Sequence, residues 1–381
     1  MSRSGFALKR ILLIAAMAFY SVALFLVFDF TYSTFTRGDE REFNPRRFDT
    51  VYGHDLTSNF DGYDVWGEAR YRLVTDSLGF KDASTRKVPL TSNLHRVLLM
   101  GDSFTEAIGM PFEDSFAGLL ARAAEQGSNK TEFLNAGVSD YSPVNYYRKI
   151  RYLLDRGLRF DEVVLLPDVS DVFDEAMSKF CIDDDPKYQT HCKDIRDPTG
   201  KRPATRTWDE TFVVTNRVRI LVKFWIQQKL GNRRKALETD FSRASWTMDR
   251  SEPARYSPLG IEGGIARSLL NMTKLSDLLA SRGIPLTIAV YPWPEQIARN
   301  DRDSRQVALW RDFCRDRCTD FIDLFPIFFA AADRDKDWYE RLYIFGDVHF
   351  SAAGNRIMYE ELAKRLMPSA DRQLSLLERP L

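Results

Sequence analysis

The chain has 381 residues, 44% hydrophobic and 13% aromatic, which is enough apolar material for a large folded core and excludes a disordered or collagen-like chain. Lys plus Arg and Asp plus Glu each number 54, so the formal net charge is zero. With no basic excess and no acidic tail, nucleic acid drops out as a leading partner.

Residues 1–10 carry Arg3, Lys9 and Arg10 and read as a cytoplasmic tail. Ile11 to Phe28 then form an 18-residue run without a charge. As a helix it spans about 27 Å, roughly a bilayer's hydrocarbon core. The leading positive charge keeps that end in the cytoplasm. The bulky stretch Phe25 to Phe30 lacks the small-x-small site of a cleaved signal peptide. Residues 11–28 are therefore expected to be a transmembrane signal anchor, with the rest of the chain periplasmic or at the cell surface. Residues 29–93 are polar at first, arginine-rich and broken by Pro45, and read as a juxtamembrane linker and lead-in segment.

From Arg96 onward, short apolar runs closed by turn residues alternate with helix-length segments. The runs are Val97–Met100, Glu132–Leu134, Glu162–Leu166, Pro285–Val290 and Phe321–Phe325, the mark of strands buried on both faces. Helices are expected near 113–126, 143–157, 262–282, 303–317 and 351–367, the last capped by Ser351. This alternation predicts a parallel sheet with helices on both faces over 94–370. Residues 171–260 break the rhythm and read as an insertion over the sheet's functional end, and 371–381 as a C-terminal tail. Within the insertion, the stripe Val214, Val218, Leu221, Trp225 has the spacing of a packed helix face.

Cys181, Cys192, Cys314 and Cys318 all follow the anchor. In an exported chain they predict two disulfides, most economically the two sequence-local pairs. A metal site on Cys181, His191 and Cys192 is the rival reading, although the spacing fits no standard zinc motif. Two sequons, at Asn129 and Asn271, matter only in a host that glycosylates exported chains.

Ligands of open parallel sheets sit beyond the carboxyl ends of the strands. There the chain places Gly101-Asp102-Ser103-Phe104-Thr105, then Gly137, then Asp168-Val169-Ser170-Asp171, and finally Gly346-Asp347-Val348-His349. A serine nucleophile needs a base for its proton, and the base needs an acceptor to orient it. Ser103, His349 and Asp347 can fill those roles, with Asp102 or Asp171 as the next orienting candidates. Tyr291 and Trp293, after the fourth strand, suit either sugar stacking or packing under the insertion.

These blocks, in order and spacing over about residues 94–367, resemble the SGNH (GDSL-type) hydrolase superfamily. Asp76-Ser77-Leu78-Gly79-Phe80 looks like a version of a segment that often precedes the first block in exported members. The resemblance implies a flavodoxin-like three-layer α/β/α fold and ester chemistry on acyl groups without metal or organic cofactor. It also implies Ser103 as nucleophile, Asp347 and His349 as the rest of the triad, and Ser103, Gly137 and Ser170 around the oxyanion hole. Two departures stand out. Asp168 to Asp171 replaces the family's Gly-x-Asn-Asp, and the usual Asp-x-x-His is shortened to Asp347-Val348-His349, which resembles the branch involved in alginate acetylation. The expected function is an acyl (acetyl) esterase on an extracytoplasmic glycan, or an O-acetyltransferase using the same triad. A non-catalytic glycan-binding or assembly protein is the alternative of another class, prompted by Ser170 for asparagine and Asp168 for glycine.

Overall fold

The computed structural model describes residues 3–42, 45–66, 69–127, 131–177, 211–212, 214–215, 218–219, 222, 241–248 and 254–367. The chain divides into two units, residues 1–44 with 196–232 and residues 45–195 with 233–381.

In the first unit the helix α1 (Arg3–Glu42) contains the stretch Leu12–Phe35, long and apolar enough to cross a membrane. The helix outruns the expected span because Asp29, the first charge after it, does not interrupt it. The Asp29 carboxylate accepts hydrogen bonds from the N–H groups of Val214 (2.8 Å) and Thr215 (2.7 Å) and from the Thr215 hydroxyl (2.6 Å). Of the expected apolar stripe, Val218 is exposed, whereas Leu221 and Trp225 lie outside the described residues.

The second unit is built on five parallel strands, β5 (His95–Gly101), β6 (Thr131–Asn135), β7 (Glu162–Leu166), β8 (Leu286–Val290) and β9 (Asp320–Asp323). Their spatial order is β6-β5-β7-β8-β9, the 2-1-3-4-5 order of flavodoxin-like sheets. Each apolar run read from the sequence falls on one of these strands, although Pro285 precedes β8 and Leu324 and Phe325 run past β9. The helices follow from the order of connection. A short α2 (Ser103–Glu106) and α3 (Phe116–Gln126) lead from β5 out to β6. In the opposite direction run α4 (Pro143–Asp155), α5 (Asp171–Ala176), α6 (Phe241–Ala244), α7 (Gly260–Ser281), α8 (Pro294–Ala298) and α9 (Arg305–Arg317). Right-handed crossovers place these two sets on opposite faces. After β9 come α10 (Phe325–Asp333), α11 (Trp338–Leu342) and α12 (Ala352–Leu366). Contacts follow the same division, with α12 on α3 and α7 on α4 and α5.

One expectation is corrected here. Residues 46–74 are not a linker but two antiparallel hairpins, β1 (Arg46–Asp49) with β2 (Gly53–Leu56) and β3 (Asp61–Trp66) with β4 (Ala69–Val74). The polar composition of this stretch is reconciled with a folded position by ion pairs, some of them buried. Asp55 and Lys149 are each 1% exposed and meet at 2.8 Å, joining β2 to α4. Arg46 forks onto Glu106 at 2.7 and 3.0 Å and reaches Asp64 at 3.1 Å, so both hairpins are tied to α2.

The turn after β4 carries a titration. Asp76 Oδ1 accepts from the N–H groups of Leu78 (2.7 Å) and Phe80 (3.1 Å), while Oδ2 is buried without a partner among the described residues. Burial outweighs those two donors and pushes the Asp76 carboxyl up to about 7. The folded state thus holds a proton that the unfolded chain releases near pH 4, so this group lowers stability as pH rises from about 4 to 7. Asp76→Asn removes that titration and keeps an oxygen for both N–H groups. Its stability relative to wild type should improve by on the order of 3 kcal/mol between pH 4.5 and pH 8, read from urea unfolding. A difference that stays constant across that range would contradict this account.

Cys314 and Cys318, at the end of α9, form one of the two expected disulfides, with Cα atoms 4.6 Å apart. Cys181, His191, Cys192 and Asn129 lie outside the described residues, as does the C-terminal tail. Asn271 is 1% exposed on α7, so its sequon is closed to modification in the folded chain. Among the described residues no group of three or more His, Cys, Asp or Glu is placed to hold a metal ion.

Candidate active site

Gly101 ends β5, and Asp102 caps α2 by accepting from the Phe104 N–H at 2.9 Å. The turn is tight because Thr105 is wedged against two glycines. A Cβ at Gly101 would lie 2.1 Å from Thr105 Oγ1, and one at Gly137 would lie 2.6 Å from Thr105 Cβ. This turn places Ser103 at the start of α2, facing a cavity of about 230 Å³.

His349 and Asp347 reach the same cavity from the loop before α12. His349 Nε2 lies 2.7 Å from Ser103 Oγ, and Nδ1 lies 2.5 Å from Asp347 Oδ1. A neutral ring protonated on Nδ1 satisfies both contacts, accepting from the serine and donating to the carboxylate. Asp347 also accepts from the His349 N–H at 2.9 Å. Burial alone would raise its carboxyl, but the bonds and charge of His349, with the Trp66 indole, hold it below the usual carboxylate range. Asp347 is not the cap of the last helix. That position belongs to Ser351, which accepts from the N–H groups of Ala353 and Gly354. The structure thus brings together Ser103, His349 and Asp347.

The expected oxyanion residues divide. Ser103 and Ser170 line the cavity. Gly137 does not, because its N–H donates to Asn135 Oδ1 at 3.2 Å, and its lack of a side chain makes room for Thr105. The Ser170 N–H is committed to Asp168 Oδ1 at 2.8 Å, so its hydroxyl is the group it can offer. Beside them the cavity is lined by Ser139 and Asp140, the latter in the left-handed region with φ 68°.

The Asp168 carboxylate, which could have opposed a developing negative charge, is turned aside. Its two oxygens accept from the Ser170 N–H and from Trp293 Nε1 (2.7 Å), and it does not line the cavity. Asp102 lines the cavity beside Ser103, whereas Asp171 does not reach it. Burial, reinforced by the charge of Asp168, pushes both carboxyls well above their ordinary range. Asp102 lies 3.3 Å from Ser103 Oγ, and Asp171 accepts from the Tyr146 hydroxyl at 3.2 and 3.1 Å.

Of the aromatic residues after β8, Trp293 lines the cavity and Tyr291 does not. Tyr291 is fully buried and Trp293 is 2% exposed. Two features of the site had no signal in the sequence. Arg243 of α6 lines the cavity in an ion pair with Asp174 at 2.6 Å, and Trp246, just after α6, donates its Nε1 to Val169 O at 2.7 Å. Trp66, from the β3–β4 hairpin, donates Nε1 to Asp347 Oδ2 at 2.6 Å.

No family model matches the chain, and no curated protein matches it. Among solved structures the chain is similar to TesA, at 9% identity and a TM-score of 0.41, covering 72% of this chain and 99% of that one. It is similar to a catalytic mutant of an acetylxylan esterase from Geobacillus stearothermophilus, at 10% identity and a TM-score of 0.39, covering 72% of this chain and 95% of that one. It is likewise similar to the psychrotrophic esterase EstA from Pseudoalteromonas sp., at 10% identity and a TM-score of 0.39, covering 71% and 96%.

Proposed function

We propose that this protein is a serine-dependent ester hydrolase of SGNH type. The observation that carries the reading is the unbroken chain of contacts from Ser103 Oγ through His349 to Asp347 at 2.7 and 2.5 Å. His349 Nε2 takes the hydroxyl proton as Ser103 Oγ attacks the acyl carbonyl. The Ser103 N–H and the Ser170 hydroxyl are the donors assigned to the tetrahedral oxyanion. The imidazolium, steadied by Asp347, then protonates the departing alkoxide and leaves an acyl-serine. Water completes hydrolysis, and a sugar hydroxyl in its place completes O-acyl transfer.

The substrate is read as an acyl ester, foremost an acetyl ester, of an extracytoplasmic glycan. Support comes from a cavity walled by the half-buried Trp66 and by the carboxylates of Asp140 and Asp174, groups suited to sugar rings and hydroxyls. The test is acetate release from an acetylated oligosaccharide by the full-length chain in detergent, with and without an unacetylated sugar acceptor. Loss of turnover in Ser103→Ala supports the reading, and equal activity in both proteins contradicts it.

The location is part of the same proposal. Arg3, Lys9 and Arg10 precede the apolar helix, and the Cys314–Cys318 disulfide suits an oxidising compartment. A reporter active only in the cytoplasm, fused after Leu381, is expected to be silent. Cytoplasmic activity would overturn this topology.

A further inference from the structure

We infer that Trp66 is a positioning residue for the proposed triad, which makes the β3–β4 hairpin part of the apparatus that orients His349. The inference rests on reading Ser103, His349 and Asp347 as that triad.

The Asp347 carboxylate divides its two oxygens between two donors from distant parts of the chain. Oδ1 serves His349, through Nδ1 and the backbone N–H, and Oδ2 serves Trp66 Nε1 at 2.6 Å. An indole N–H donates only and does not ionise in this range, so the polarity of that contact is fixed. It stabilises the carboxylate form and fixes its plane, hence the direction from which it meets the imidazole. The same indole stands edge-on to His349, with ring centroids 5.3 Å apart at 90°, while Phe104 meets His349 at 4.7 Å. Trp66 therefore bounds both the base and the group that orients it.

The hairpin is itself held to the nucleophile's helix. Asp64, two residues before Trp66, accepts from Arg46 (3.1 Å) and from the Tyr71 hydroxyl (2.8 Å), and Arg46 is forked onto Glu106 of α2. From the other side, the Tyr339 hydroxyl donates to the Asp347 carbonyl at 3.1 Å and accepts from the Gly346 N–H at 3.0 Å. The distance between the carboxylate and Ser103 is thus set from two directions.

Trp66→Phe keeps a smaller aromatic ring beside His349 and removes the donor. Loss of a supporting hydrogen bond of this kind typically costs about 10- to 100-fold. In acetyl-ester hydrolysis, kcat is expected to fall by about that factor, with KM within about twofold of wild type. The acid limb of kcat/KM should also move to higher pH, because a carboxylate without the indole has more charge to offer the imidazolium. In an Asp347→Ala background, Trp66→Phe should cost nothing further in kcat.

An unchanged kcat and pH profile in Trp66→Phe, or a change confined to KM, overturns the inference. If Asp347→Ala is itself without effect, the triad reading fails instead. Should Trp66→Phe not fold, the indole N–H signals of the seven tryptophans provide the second test. One of them should move upfield in Asp347→Ala by nuclear magnetic resonance, and no movement overturns the inference.

Discussion

Ser103→Ala is expected to lower kcat for acetyl esters by about 10⁴- to 10⁶-fold while leaving the fold and its thermal midpoint nearly unchanged. The alanine removes one oxygen from a side chain at the cavity wall and opens no hole in the sheet. What it removes chemically is the atom that attacks the carbonyl. His349→Ala should cost a similar factor, because a serine without a base is a poor nucleophile near neutral pH. The double variant should be little worse than either single one, since two members of one relay cannot be lost twice. Steady-state and burst kinetics on full-length protein check all three. Additive losses in the double variant would mean that the two side chains act separately, against the 2.7 Å contact between them.

The second large effect is on stability. Asp55→Ala should destabilise the protein by about 3–5 kcal/mol, because it leaves the Lys149 ammonium buried with a charge and no counterion. Lys149 would keep the Ala136 carbonyl at 3.1 Å and ring faces such as Tyr141, with its nitrogen 5.1 Å from that centroid. Those neighbours do not replace a carboxylate. Burial already lowers the Lys149 ammonium's proton affinity despite the opposing charge of Asp55, so losing Asp55 lowers it further. The double variant Asp55→Ala with Lys149→Met should recover most of the loss, since the fully buried ammonium goes with its counterion, and Arg47, which also meets Asp55 at 3.2 Å, is part-exposed and keeps Asp49 at 3.1 Å. Denaturant unfolding of the four proteins measures the coupling. A double variant less stable than Asp55→Ala would contradict it. The effect should reach the active site as well. His54 Nε2 contacts Ser139 O at 2.6 Å, and the Tyr141 hydroxyl donates to His54 O at 2.6 Å, so the β1–β2 hairpin supports the loop that lines the cavity.

The parts legible in the sequence were those with a short-range signature. A parallel strand buried on both faces must be continuously apolar, so Val97–Met100 and Leu286–Val290 stood out against polar helices. The chemistry sits where such strands end, which drew attention to Ser103, Asp347 and His349. The hairpins had no comparable signature. β3 alternates exposed and half-buried residues, and β1 reads Arg46-Arg47-Phe48-Asp49, a sequence that is polar until its partners Glu106, Tyr52 and Asp55 are known. Trp66 and Asp347 lie 281 positions apart, beyond any spacing rule. Gly137 was misplaced for a related reason: a glycine after a strand suggests an exposed N–H, whereas here it makes room for Thr105. Asp168 in place of glycine looked adverse to catalysis until the Trp293 indole was seen to hold its carboxylate away from the cavity.

The central claim is that Ser103 is a nucleophile activated by His349. The most direct test is covalent capture: full-length protein is incubated with a serine-directed phosphonate at pH 8 and digested, and the modified residue is mapped by peptide mass spectrometry. A single adduct on Ser103 is expected, absent in Ser103→Ala and formed far more slowly in His349→Ala. Failure of the folded wild-type protein to label at Ser103, or equal labelling rates with and without His349, would contradict the account.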